Sequence, residues 1–176
     1  MKIIDASRLT NRFALLLLAL VGALAPRLAA QGERPAQKPR DVKHHHLDKA
    51  GLALSGYDPV AYFPEGSGKP RKGDPKLELQ HEGVRYRFAS EANRALFQKS
   101  PSKYEPAYGG WCAYAMAKGD KVDIDPESFL VRDGRLFLFY KGWFNDTRAK
   151  FLKDPAELTR KADGSWAKLV APPKSS

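Results

Sequence analysis

Cys112 is the only cysteine in the chain. It lies within Tyr104–Met116, thirteen residues that also carry Tyr108, Gly109, Gly110, Trp111, Tyr114 and Met116. A lone thiol in such surroundings is a small buried hydrophobe, a soft metal ligand or a nucleophile. As a ligand it favours a soft ion. Thiolate and thioether together suit Cu(I), whereas zinc takes four donors from Cys, His and carboxylate. Met116 follows Cys112 by four residues, so a helix would put both on one face. His81 is the third candidate ligand, and copper is the first metal this donor set suggests. His44-His45-His46 offers further imidazoles, but three consecutive residues in regular structure cannot all face one ion. Asp120, Asp123 and Asp125 are hard oxygen donors, yet their loop lacks the Gly and terminal Glu of an EF-hand.

Two other chemistries compete with the metal. A thiol enzyme needs a base beside the sulfur and a means of stabilising the developing charge. His81 is the one credible base within the folded part, and there is no Gly-x-Ser-x-Gly elbow. A metal-free binding module would instead use an aromatic pocket for a small molecule or a protein. Tyr57, Asp58, Tyr108, Trp111 and Tyr114 are the candidate lining residues. Each also has a plainer role: the aromatics as core, Asp58 as the cap of a turn that begins at Pro59.

The elements that must hold these residues are short. Leu77 and Leu79 alternate with polar neighbours. After Glu82-Gly83, Val84, Tyr86 and Phe88 alternate with Arg85 and Arg87, which predicts a hairpin with one buried face. Ser90 is placed to cap a helix through Lys99, with Ala92, Ala95 and Leu96 on one face. Asp133-Gly134 marks a second hairpin over Phe129–Tyr140 through a type I′ turn. Its Phe137 and Phe139 share one face and Leu136, Leu138 and Tyr140 the other, so this strand is expected to be buried on both sides. Helices are expected over 143–152 and 155–162, with Asp163-Gly164 turning the chain toward Trp166. The fold class is α+β: small antiparallel hairpins packed with short helices in one domain.

The N-terminus reads as a secretory signal. Lys2, Arg8 and Arg12 precede the apolar run Phe13–Ala25, which is too short for a comfortable membrane span. Cleavage is expected before Gln31, giving a periplasmic or extracellular protein with no stable span. Residues 31–50, rich in Pro and charge, are expected to be a disordered spacer. The domain proper is expected over 51–169, with a flexible tail at 170–176. Residues 1–30 hold four of the thirty basic residues and one of the twenty acids, so their removal lowers the net charge from +10 to +7. Those charges are interleaved with acids, and no helix–turn–helix, zinc-finger or RNA-binding pattern is present, so nucleic acid is not an expected partner. A single cysteine excludes an internal disulfide framework.

The order of motifs carries a resemblance. Gly56-Tyr57-Asp58-Pro59-Val60-Ala61-Tyr62-Phe63 is followed by Val84-Arg85-Tyr86-Arg87-Phe88-Ala89-Ser90 and a helix containing Phe97. Pro101-Ser102-Lys103-Tyr104, then Tyr108-Gly109-Gly110-Trp111-Cys112-Ala113-Tyr114-Ala115, then the hairpin from Val131 to Leu138 complete the set. From about Gly51 to Leu169 the chain resembles the exported bacterial YHS-domain proteins. The resemblance implies a hairpin followed by a helix. In the short metal-handling members of that family, cysteines near the second strand and the helix start are the proposed soft-metal ligands. Here Ala89 and Asn93 stand at those places, so any thiol chemistry falls to Cys112.

Overall fold

The computed structural model describes residues 40–172. The expected signal, and the spacer as far as residue 39, lie outside the described residues, as do residues 173–176. Three separate two-stranded antiparallel hairpins are packed with five short helices, an α+β arrangement as the sequence predicts. The first hairpin pairs β1 (Asp74–His81) with β2 (Val84–Phe88). Its turn residues Glu82 and Gly83 both have positive φ, at 47° and 90°, which gives a tight turn the twist that hairpin strands need. Val84, Tyr86 and Phe88 are buried, and the arginines between them are half-exposed. The second hairpin pairs β3 (Asp125–Arg132) with β4 (Arg135–Phe139) through Asp133-Gly134, at φ 52° and 72°.

Strand β4 explains the two-sided burial its sequence implied. Leu136 and Leu138 face a core built on Val60, Tyr62, Tyr86, Phe88, Phe97 and Tyr104. Phe137 and Phe139 face a second core with Tyr108, Met116, Phe151 and Ala162. One strand therefore forms a wall shared by both clusters.

Helix α1 (Glu91–Lys99) begins as expected: the Ser90 side chain accepts from the Asn93 backbone N–H at 3.1 Å. Its buried face differs from the expected one. Asn93 and Phe97 point inward while Ala92 and Ala95 are exposed. Phe97 turns inward because its ring packs on Tyr86 at 4.7 Å and Phe88 at 5.3 Å, a larger apolar gain than two alanines offer. Pro101–Tyr104 forms the short helix α2 and Ala113–Met116 the helix α3.

The helix expected over 143–152 is instead a hairpin followed by a turn of helix. Strands β5 (Lys141–Gly142) and β6 (Asn145–Asp146) pair across Trp143-Phe144, and α4 (Thr147–Phe151) starts only where Asp146 accepts from the Ala149 N–H at 3.1 Å. The last helix, α5 (Pro155–Val170), runs straight through Asp163-Gly164. Glycine costs a helix about 1 kcal/mol. That cost is outweighed because Trp166 and Leu169 pack on the second core and Asp163 is held by Arg135 and Tyr108. Val170 therefore belongs to the helix and not to a tail. No helix among the described residues is long and apolar enough to cross a membrane.

Residues 40–50 are the other correction. They pack on the domain and are no loose spacer. Leu47 bridges Ala53, His46 N–H donates to Gly109 O at 2.8 Å, and the Trp111 indole donates to His44 O at 2.6 Å. The prolines that suggest a spacer, Pro35 and Pro39, lie before this stretch. The residues that follow carry the backbone groups and rings that the domain surface satisfies.

Candidate functional site

A cleft of about 300 Å³ lies where residues 40–47, the Pro106–Gly109 turn and Trp166 of α5 meet. Two ion pairs frame it, each tied to a tyrosine. Arg40 donates to both carboxylate oxygens of Glu105, and Tyr86 Oη donates to the same carboxylate at 2.8 Å. Arg135 donates to Asp163 at 2.8 and 3.2 Å, and Tyr108 Oη donates to Asp163 at 2.9 Å. The Trp166 ring and the His45 ring meet edge to face at 5.9 Å.

Gly109 makes this closeness feasible. Its φ is +60°, and a Cβ there would stand 2.8 Å from the Trp166 ring and 3.1 Å from His45 Cα. Only glycine suits both the left-handed backbone and the approach. Tyr108 shares the left-handed conformation, at φ 58°, which turns its side chain into the second core and its hydroxyl toward Asp163.

The electrostatics follow from burial and pairing. Burial alone would raise the Glu105 pKa, but the hydrogen bonds from Arg40 and Tyr86 outweigh it and hold the carboxyl below its usual range. Burial, aided by the Glu105 charge, raises Tyr86, and burial with Asp163 raises Tyr108, so both phenols stay protonated donors. Burial pushes His45 down, assisted by the nearby Arg40 charge, so its ring is neutral at pH 7. Two buried nitrogens on this cleft have no hydrogen-bond partner: Arg40 Nε and His45 Nδ1. A buried polar atom without a partner is costly, and both of these belong to residues that line the cleft.

A pH consequence arises from Glu105. Its pKa is lowered on folding, so the unfolded chain binds more protons in the acid range. The stability it contributes is complete above the unfolded value, near 4.5, and is lost as pH falls through the folded value. Urea midpoints measured from pH 7 down to pH 3 should therefore fall less steeply below about pH 4.5 in Glu105→Gln than in the native protein. An identical acid limb would show that this carboxylate is not what the structure makes it.

The residues singled out by the sequence are placed differently. Cys112 is fully buried, its Sγ 3.3 Å from the Thr147 hydroxyl and its backbone bridged to Leu138. Met116 lies one helical turn on, its N–H donating to Cys112 O at 2.9 Å, and its side chain belongs to the second core. The helix thus does bring Cys112 and Met116 onto one turn. His81 ends β1, packs edge-on against Phe97 of the first core at 5.9 Å and lies 4.0 Å from Glu82. Among the described residues no group of three or more His, Cys, Asp or Glu side chains is arranged to hold a metal ion. The histidine triplet is likewise dispersed. His44 Nδ1 lies 3.1 Å from Lys121 Nζ, His45 faces Trp166, and His46 lies 3.2 Å from Asp123.

Of the five residues expected to line a pocket, Tyr108 lines this cleft. Tyr57 donates to Glu127 at 3.2 Å under the ammonium of Lys72. Asp58 is fully buried and spends both carboxylate oxygens on the fold. Trp111 packs on His46 at 4.5 Å, and Tyr114 lies under Lys118. Arg40, His45, Glu105, Arg135 and Trp166 were not legible as a group. Arg40 and Glu105 are 65 residues apart, and only the histidine triplet hinted that the N-terminal stretch mattered. No family model matches this chain, and neither does any curated protein or solved structure.

Proposed function

We propose that this protein is an exported, YHS-like, non-enzymatic binding module, and that its ligand is a small molecule bearing a carboxylate or comparable acceptor group. The observation that carries the reading is the pair of unpartnered buried nitrogens, Arg40 Nε and His45 Nδ1, on one cleft of about 300 Å³. Arg40 Nε–H is a donor. The His45 ring, neutral at pH 7, can present an N–H at Nδ1. A carboxylate in the cleft would offer an acceptor to either donor. The rings of Tyr108 and Trp166 supply the apolar wall such sites use. Arg40, Lys103 and Arg135 line the cleft, each already paired with an acid (Glu105, Glu65 and Asp163), so a ligand carboxylate would share these cations with their present partners. A copper site at Cys112 and Met116 is the competing reading. It has less support because the thiol already bonds Thr147 and the thioether is core packing.

Benzoate is the simplest probe, with benzyl alcohol as the same ring without the charge. Benzoate is expected to raise the thermal midpoint by mass action and to change Trp166 fluorescence, and benzyl alcohol to do neither. Arg40→Lys keeps the ion pair with Glu105 but removes the Nε–H; it should weaken benzoate binding by about ten- to a hundredfold, since a hydrogen bond to a charged group contributes about 1.5–3 kcal/mol. Equal effects of both probes, or none, would end this reading. A parallel incubation with Cu(I), followed by desalting and metal analysis, separates the competitor. Copper retained by the native protein and lost in Cys112→Ser would move the function to the thiol. Without a metal, Cys112→Ser should only cost about 1–3 kcal/mol for a poorly satisfied buried hydroxyl.

A further inference from the structure

The β5–β6 hairpin carries the most exposed large hydrophobic side chains among the described residues. Trp143 is 99% and Phe144 102% exposed, side by side on a two-residue turn. Neither ring makes an aromatic contact among those described, and neither belongs to a core cluster. Two fully hydrated aromatic rings contribute nothing to holding this fold together. The turn is nonetheless a built feature. The two strands pair at Lys141 with Asp146 and Gly142 with Asn145. The Tyr140 ring lies so close to Gly142 that a Cβ there would meet its hydroxyl at 2.6 Å.

Cations flank the turn along the chain. Lys141, Arg148, Lys150 and Lys153 are all exposed, and Lys150 Nζ is held beside the turn by Asn145 Oδ1 at 2.7 Å. The two acids of this stretch, Asp146 and Asp154, are engaged as helix caps, accepting from the N–H groups of Ala149 and Glu157. Leu152, 47% exposed, adds an aliphatic group just beyond α4.

We propose that this tip is an interfacial anchor that docks the protein on an anionic lipid surface. Tryptophan and phenylalanine suit the boundary between headgroups and acyl chains, where the rings leave water while nearby polar groups stay wet. Lys141 in β5 and Lys150, held to Asn145 of β6, bring cations to the turn, with Arg148 and Lys153 exposed further along the chain, and each cation near an anionic surface contributes about a fivefold gain in partitioning. An exposed two-residue turn with positive charge beside it fits a penetrable, negatively charged sheet. The membrane contact is peripheral and needs no spanning helix.

The test uses the full chain with phosphatidylcholine vesicles, with and without phosphatidylglycerol. Co-sedimentation should show preference for the anionic vesicles and weaken as salt is added. The double variant Trp143→Ala/Phe144→Ala should partition at least tenfold less, since burying one such ring accounts for about that factor. Lys141→Ala and Lys150→Ala should each cost about fivefold. The apolar run at Phe13–Ala25 contains no tryptophan, so quenching of tryptophan emission by brominated lipid reports on the domain. Trp143→Phe should keep binding but lose most of that quenching. Unchanged thermal midpoints will show that these exposed positions do not alter folding. Binding indifferent to phosphatidylglycerol, or quenching that survives Trp143→Phe, overturns the proposal. So does a protein whose self-association, and not its vesicle binding, is abolished by the double variant; the tip would then be a contact between copies of this chain.

Discussion

Asp58→Ala should remove about 3–5 kcal/mol of folding stability, seen as a collapse of the urea midpoint at neutral pH. Asp58 is fully buried, and its carboxylate knits three segments together. Oδ1 accepts from the backbone N–H of Val60 at 2.8 Å and of Ala61 at 3.3 Å, closing the turn after Pro59. Oδ2 accepts from the Ala89 N–H at 2.8 Å, where β2 leaves the hairpin, and from Asn93 Nδ2 at 2.6 Å, in the first turn of α1. Alanine leaves these donors buried without an acceptor, each at a cost of about 1–3 kcal/mol before relaxation. Asp58→Asn keeps the shape but turns an N–H₂ toward the Ala89 and Asn93 donors, so it should recover only part of the loss. Asn93→Ala should cost less than Asp58→Ala, because it deletes one donor and leaves the acceptor with three. A midpoint for Asp58→Ala within about 1 kcal/mol of the native value would refute this account of the junction.

That junction also marks what the sequence could and could not tell. Local rules were sufficient for the two longer hairpins and the start of α1, which close on themselves. Asp133-Gly134, Glu82-Gly83 and Ser90 each act through neighbours within a few residues, and each stands as its residue types imply. The α+β class followed from those hairpins. Local rules failed where a distant group changes the balance. Gly164 reads as a helix end until Arg135 and Tyr108 hold Asp163 just before it. Residues 143–152 are a local exception: they read as a helix, yet Trp143-Phe144, neither of them a usual turn former, turns a hairpin. The cleft is the extreme case. Its polar walls join Arg40 to Glu105 and Arg135 to Asp163, pairs whose members have no spacing that a periodic pattern would reveal. Cys112 drew attention because thiols are chemically conspicuous. Its surroundings show a sulfur packed behind β4 and bonded to Thr147.

Phe137→Ala should be comparably severe, costing about 3–5 kcal/mol, and should loosen the cleft as well. Phe137 is buried on the second-core side of β4. Its ring lies 5.8 Å from Phe151 and 6.0 Å from Tyr108, with the Arg135 guanidinium 5.0 Å from its centroid. Tyr108 and Arg135 are the two groups that fasten Asp163 of α5, and Trp166, one turn further along that helix, forms the cleft wall. Deleting the ring leaves a cavity beneath both fasteners, so α5 loses its seat and the cleft its definition. Leu136→Ala, on the other face of the same strand, should cost about 2–5 kcal/mol through the first core, whose members include Tyr86 and Phe97. The two variants therefore separate stability from site geometry. If both lower the urea midpoint, but Phe137→Ala weakens benzoate binding far more than Leu136→Ala when each is measured well below its midpoint, β4 is a shared wall with the cleft on its phenylalanine side. Equal losses of binding from the two faces would mean that the cleft depends on overall stability and not on the packing of Tyr108 and Arg135 against Phe137.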